Sequence, residues 1–304
     1  MNELNYNELI NSAREHSESN TIIIAFANNT YRLVLENWIF QINRLQIKNY
    51  LIFTLDQKIE RYCKQNNINS FKLYSPSQNS ILKLEDLWLL RVEIFFQLIN
   101  SDLNFIHSDI DAVWLKNPIK KYVQETSSCL IFSQGTVFPQ KTLNIWGFVL
   151  CAGFFSIKSN PLTQSFLKDL LSKVKISKND QKEINLLLCE KYTIQWDKQN
   201  NTTYDLKRNK KKFECYTDIL KGNFKNHPNE HIDLLPQKLF QRLPSDTDEA
   251  YIKHCLSDNY LYDKLKMLKK TESLFIQPAL PLCFYYLKDI KLRIKTFLLN
   301  NILK

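Results

Sequence analysis

The sequence predicts an α/β fold, with a mostly parallel sheet covered by helices on both faces. Short β-branched apolar runs alternate with segments whose apolar residues recur at helical spacing, the pattern of repeated βαβ units. Asn28, Asp56 and the pair Asp109/Asp111 fall at the ends of the first, second and fourth such apolar runs, the place where such sheets bind ligands. The chain has 304 residues, 44% hydrophobic and 12% aromatic, which excludes disorder as a whole and allows a large core.

"TIIIAFA" (21–27) reads as a buried strand, and "TYRLVLENWIFQINRL" (30–45) as a helix. "NYLIFTLD" (49–56) is a second strand closing on Asp56, "KIERYCKQNN" a short helix, and "SFKLYSP" (70–76) a third strand ended by Pro76. A strong helix over 83–99 precedes the strand "LNFIHSD". Beyond it "SCLIFSQ", "GFVLCAGFFSIK" and "HIDLLPQKLF" read as strands, "PLTQSFLKDLLSKV" and "NDQKEINLLLCEKY" as helices, with Asn179 an N-cap. Residues 197–230 are polar and irregular, and 259–304 look helical. No repeat or linker divides the chain, so a single domain over 20–258 with a helical extension over 259–304 is expected.

The net charge is +10 and the pI about 9.1. Such a balance suits a polyanion, an anionic membrane surface or a phosphate-bearing substrate, and equally a lysine-rich composition without functional meaning. Seven cysteines stand at irregular spacings with no CxxC pair. That argues against a zinc site or disulfide framework and for free thiols in a reducing compartment. The first twenty residues lack an apolar signal core, and no run reaches 18 apolar residues. The expectation is a cytoplasmic protein.

The stretch "NFIHSDIDAVWLKNP" (104–118) sets Asp109 and Asp111 one residue apart after an apolar run. Alternation along a strand points both carboxylates the same way, and a turn at its end converges them. Two close carboxylates repel unless a cation lies between them, and a hard divalent ion such as Mn²⁺ or Mg²⁺ satisfies both. The bland reading is a solvated loop with two surface acids. Arg91 stands inside the apolar stripe of the preceding helix (Leu84, Leu87, Trp88, Ile94, Phe95, Leu98). A buried guanidinium needs an anion, either a structural carboxylate or a ligand's phosphates.

These motifs, taken in order, resemble the nucleotide-diphospho-sugar transferases of glycosyltransferase family 77. The resemblance covers about residues 20–266: the opening strand and Asn37-Trp38 helix, "LWLLRVEIF", "FIHSDIDAVWLKNP", "GFVLCAGFFSIKS", "NDQKEINLLL", and "LLPQKLFQ" followed by "YIKHCLSDN". It implies a GT-A fold, Rossmann-like, and a metal-dependent transfer of sugar, with retention, from a nucleotide sugar, UDP by analogy, to a glycan, protein or small-molecule acceptor. It further implies Asp109, Asp111 and His254 as ligands of Mn²⁺ or Mg²⁺, with Asn28, Asp56 and Arg91 at the nucleotide sugar. A basic residue after the histidine, Lys264 or Lys266, joins them, Lys264 being the one assigned here. Asp180 and Gln181 fall near the donor sugar or acceptor as the catalytic pair. The chain departs from the pattern at Cys151-Ala152, where an Asn is expected before Gly153.

A sugar-nucleotide pyrophosphorylase would open with a glycine-rich loop, and "IIIAFANNTYR" has no Gly. A haloacid-dehalogenase-type phosphatase carries its D-x-D after the first strand, not the fourth. A nucleic-acid- or membrane-binding module is the non-enzymatic rival. Its best feature, "KRNKKK" (207–212), has no aromatic platform beside it and reads as a solvated loop, so no nucleic-acid partner is expected. The basic, apolar C-terminus "YYLKDIKLRIKTFLLNNILK" packs on the domain or makes a peripheral membrane contact.

Overall fold

The computed structural model describes residues 5–74, 83–199, 203–244, 249–257 and 260–290. The helical reading of 291–304 lies outside the described residues. No described helix is long and apolar enough to cross a membrane.

Helix α1 (Tyr6–Glu15) precedes β1 (Thr21–Ala27), α2 (Arg32–Arg44), β2 (Tyr50–Thr54), α3 (Gln57–Gln65) and β3 (Ser70–Lys72). Helix α4 (Leu84–Asn100), β4 (Asn104–Ser108), β5 (Val113–Trp114), β6 (Leu130–Gln134), α5 (Gln140–Trp146) and β7 (Leu150–Ile157) follow. Then come α6 (Pro161–Ser177), α7 (Asp180–Leu186) and the strands β8 (Ile194–Trp196), β9 (Thr203–Arg208), β10 (Lys211–Tyr216), β11 (Leu220–Phe224) and β12 (His227–Leu234). Strands β13 (Phe240–Gln241) and β14 (Ile252–Lys253) and helix α8 (Leu261–Lys270) come last, with 282–290 also helical.

The main sheet has nine strands in the order β3-β2-β1-β4-β7-β6-β12-β11-β8. Only β7 and β11 run against the others. Every residue of β1 is buried, because its two faces feed two cores. Ile22, Ile24 and Phe26 join α4 and α6 on one side. Ile23, Ala25 and Ala27 join α2, α3 and α8 on the other. This two-sided burial is why the strand reads as a continuous apolar run rather than an alternation. Each fully buried Ile contributes about 1.5–3 kcal/mol of transfer free energy.

Local signals end the helices. Asp56 caps α3, its Oδ1 accepting the backbone N–H groups of Lys58 at 2.9 Å and Ile59 at 3.0 Å. Asn160 and Thr163 form a capping box on α6 with Pro161 at its first turn. Lys178 ends α6 at φ 53°, and Asn179 then caps α7.

Two readings from sequence are corrected. Residues 203–224 are not irregular: β9 and β10 make a hairpin and β11 joins the main sheet. The basic run 207–212 is solvent-exposed as expected, but as that hairpin's tip rather than a loop, turning on Asn209 (φ 50°) and Lys210 (φ 64°). Phe213 and Cys215 bury its other side against Leu143 and Val149. All seven cysteines are free.

Candidate active site

The site lies beyond the carboxyl ends of β1 and β4. Strand β4 stops at Ser108, and a tight turn, Ala112 N–H to Asp109 O at 2.9 Å, folds Asp111 back beside Asp109. Ser108 is buried and fixes this corner. Its hydroxyl accepts the indole N–H groups of Trp114 at 3.0 Å and Trp38 at 3.3 Å and donates to the Asp109 carbonyl at 3.2 Å. Trp114 belongs to β5, which pairs with β14, and that pairing delivers His254, the residue after β14, to the two acids. Pro118 starts a π-helical turn over Ile119–Gln124.

His254 Nε2 lies 3.4 Å from Asp111 Oδ1 and 3.7 Å from Asp109 Oδ2. One ligand atom from each of Asp109, Asp111 and His254 falls within 4.8 Å of the other two. Donors about 2.1 Å from one ion stand up to about 4 Å apart, so a small closure makes this a ligand set for Mn²⁺ or Mg²⁺. Gly153 makes the approach feasible: a Cβ there would stand 2.0 Å from His254 Cε1 and 2.6 Å from Asp109 Oδ2. The residues therefore fit the ion that the motif implies.

Cations already neutralise the acids. Lys264 of α8 pairs with Asp111, and Arg91 of α4 reaches Asp109 Oδ1 at 3.0 Å. Burial alone would raise the Asp109 pKa; the His107 hydrogen bond and the Arg91 charge outweigh it and bring it down to about 2. Asp111 is likewise held well below the usual carboxylate range, Lys264 and His254 overcoming its burial. His254 is pushed up: burial and Arg242 oppose its charge, but Asp111 favours it. Arg91 is 6% exposed and its Nε also donates to Asp180 Oδ2 at 3.1 Å, with Nη2 on the same oxygen. The buried arginine expected from the helix stripe thus has two carboxylate partners, and unpairing it would cost about 3–5 kcal/mol.

One cavity of about 570 Å³ is lined by Asn28, Arg91, Asp109, Asp111, Asp180, Gln181, His254 and Lys264. Eight of the residues singled out from sequence therefore meet in one place. Asp56 is not among the lining residues; it braces them, its Oδ2 accepting the Asn29 backbone N–H at 2.6 Å. Gln181 uses both ends of its amide on backbone, Nε2 donating to Phe138 O at 3.1 Å and Oε1 accepting from Ala152 N at 3.4 Å.

The family described as nucleotide-diphospho-sugar transferase matches residues 45–268, well over half of the chain. The chain belongs to that family. A curated relative, arabinosyltransferase RRA1 of Arabidopsis thaliana, is 29% identical over 101 residues, 32% of this chain. The chain spans about a quarter of that relative's length, 25%. Among solved structures, the galactosyltransferase LgtC with donor and acceptor sugar analogs has a TM-score of 0.38 at 13% identity, covering 54% of this chain and 69% of that one. The glycosyltransferase GlyE of Streptococcus pneumoniae TIGR4 gives 0.36 at 10% identity, over 55% and 43%.

Three residues of the candidate site escaped the sequence reading. His107 lies two residues before Asp109 on the same face of β4 and gives it an Nε2 contact at 3.2 Å. Burial among Phe26, Phe95 and Phe155 lowers its pKa and keeps the ring neutral. The spacing His-x-Asp was the available signal. Arg242 donates from Nη1 to the His254 carbonyl at 2.7 Å, and Tyr31 lies under Lys264, whose Nζ is 5.8 Å from the ring centroid. Arg242 comes from a segment without a motif, and Tyr31 from the opening stretch, where nothing local marked it out.

Proposed function

We propose that the protein is a metal-dependent glycosyltransferase that moves a sugar from a nucleoside diphosphate sugar, UDP-linked, to a glycan, protein or small-molecule acceptor with retention. The observation behind this reading is the convergence of Asp109, Asp111 and His254 with Arg91 and Lys264 on one cavity. Bound there, Mn²⁺ or Mg²⁺ supplies Lewis-acid neutralisation of the charge that grows on the departing diphosphate. Asp109, Asp111 and His254 hold it. Arg91, buried and held by Asp180, directs a permanent positive charge at the donor, where preorganised charge stabilises a transition state most. Lys264 shifts from Asp111 to a phosphate oxygen. Asn28 lies at the nucleoside, with Asp56 behind it. Both Asp180 oxygens already accept hydrogen bonds, Oδ1 from the Gln181 backbone N–H at 2.7 Å. Asp180 therefore orients Arg91 and the sugar, and Gln181 orients the wall that carries Phe138. The acceptor's proton passes to the leaving phosphate oxygen on the same face as attack, which gives retention.

Purified protein with Mn²⁺ is offered UDP- and GDP-sugars, including a UDP-pentose because the curated relative is named an arabinosyltransferase. Released nucleotide is the readout. Metal-dependent turnover that disappears in D109N/D111N is expected; equal turnover by that variant refutes the reading. We also propose peripheral contact with an anionic membrane through 280–290, where Phe284 and Leu287 are exposed on one helical face beside Lys288. Co-sedimentation with phosphatidylglycerol vesicles is expected to fall in F284S/L287S, and unchanged binding refutes it.

A further inference from the structure

His254 has two ring nitrogens and only one faces the acids. Its Nε2 points at Asp109 and Asp111, while Nδ1 lies 3.8 Å from Cys151 Sγ. A histidine that ligates through Nε2 keeps its proton on Nδ1, and that N–H needs an acceptor to fix tautomer and ring plane. Most proteins use a carboxylate or carbonyl oxygen. The Cys151 sulfur holds that place here. It is buried, and it also accepts the Gly153 backbone N–H at 3.4 Å, which pins the thiol side chain against its own strand. The ring rests over Gly153, where a Cβ would come within 2.0 Å of Cε1. Strand β7 thus shapes the histidine twice, by the missing side chain of Gly153 and by the sulfur two residues earlier.

We propose that Cys151 is a positioning residue for the metal site: its sulfur accepts the Nδ1–H of His254 and so commits Nε2 to the ion. The assignment rests on the metal-dependent reading above. It also gives a purpose to the one place where the sequence departs from the family pattern. Cysteine keeps an acceptor under His254 while exposing no amide to the cavity, whose lining includes Ala152 and Gly153 but not Cys151.

The test measures Mn²⁺ affinity of the full chain by electron paramagnetic resonance of free Mn²⁺, with no donor present. Wild type is compared with Cys151→Ala and Cys151→Ser, thermal unfolding serving as the folding control. Removing such a partner typically weakens metal affinity about 10–100-fold. C151A is expected to lose roughly tenfold and C151S, which keeps an acceptor, to stay within about threefold of wild type. In ¹⁵N-histidine spectra of the Cd²⁺-loaded wild type, His254 is expected to show a coordinated Nε2 and a protonated Nδ1. Coordination through Nδ1 overturns the assignment even if C151A fails to fold. Wild-type Mn²⁺ binding that C151A reproduces overturns the positioning role alone. No Mn²⁺ binding by folded wild type overturns the metal reading, and with it the ligand role of His254.

Discussion

Lys264→Met separates charge from packing at the metal ligands. The side chains of Asp111 and Lys264 are 12% and 16% exposed, and the Lys264 Nζ pairs with Asp111 Oδ2. Unpairing a buried ion typically costs about 3–5 kcal/mol. Two features reduce that figure here. His254 Nε2 still lies 3.4 Å from the other Asp111 oxygen, and the methionine, although it loses the ammonium–Tyr31 contact, still fills the space beside that ring. A loss of about 2 kcal/mol is therefore expected in urea unfolding with EDTA. With millimolar Mn²⁺ the ion takes over the lost charge, and the deficit should shrink to about 0.5 kcal/mol. Linkage then demands the reciprocal effect: the 1.5 kcal/mol difference appears as roughly tenfold tighter Mn²⁺ binding by K264M in the absence of nucleotide. Affinity for UDP should fall in the same variant. An equal stability loss with and without Mn²⁺, or unchanged Mn²⁺ affinity, would show that Lys264 acts through packing, and the argument fails.

Ser108→Ala removes the acceptor shared by two buried indoles and is expected to cost about 2–3 kcal/mol in chemical denaturation; a loss below about 0.5 kcal/mol contradicts the corner described above. Gly153→Ala forces a methyl into His254 and Asp109, so Mn²⁺ binding should be lost, with about 1–3 kcal/mol of destabilisation. Retained binding in calorimetry would count against the cradle. His254 gives opposite pH trends. Its folded pKa is raised, so without metal its contribution to stability is full below the unfolded value of about 6.5 and is lost as pH rises through the folded pKa. With Mn²⁺ present the proton competes with the ion, so affinity and stability rise over the same interval. His254→Gln should abolish both trends.

The first half of the fold was legible because each element carries its own signal. β1 and β2 are apolar throughout, Asp56 caps α3, and Arg91 interrupts an apolar stripe. The acids were legible for the same reason, as a short motif at a strand end. The second half was not. TYDLKR has no buried residue and KKFECY buries only Phe213, Cys215 and Tyr216, and they turn on Asn209-Lys210 instead of a glycine, so the usual hairpin signal is weak. His254 was placed by resemblance, while the β5–β14 pairing that brings it to the acids joins residues 113–114 to 252–253, a long-range contact that no local pattern announces. Gln181 was read as chemistry, and its amide proves to be bound to backbone on both sides.

The hairpin tip at Lys210 and the end of α6 at Lys178 belong to a wider habit of this chain. Ten described non-glycine residues sit at positive φ, against a single glycine, Gly147. A left-handed conformation costs an L-residue with a Cβ about 1 kcal/mol relative to glycine, more for a β-branched one such as Thr193 at φ 46°. With only four glycines in its sequence, the protein holds its turns under tension that composition did not relieve. At such positions Gln46→Gly, Thr193→Gly and Lys210→Gly would each remove the strained Cβ, a gain that glycine's greater freedom in the unfolded chain partly offsets.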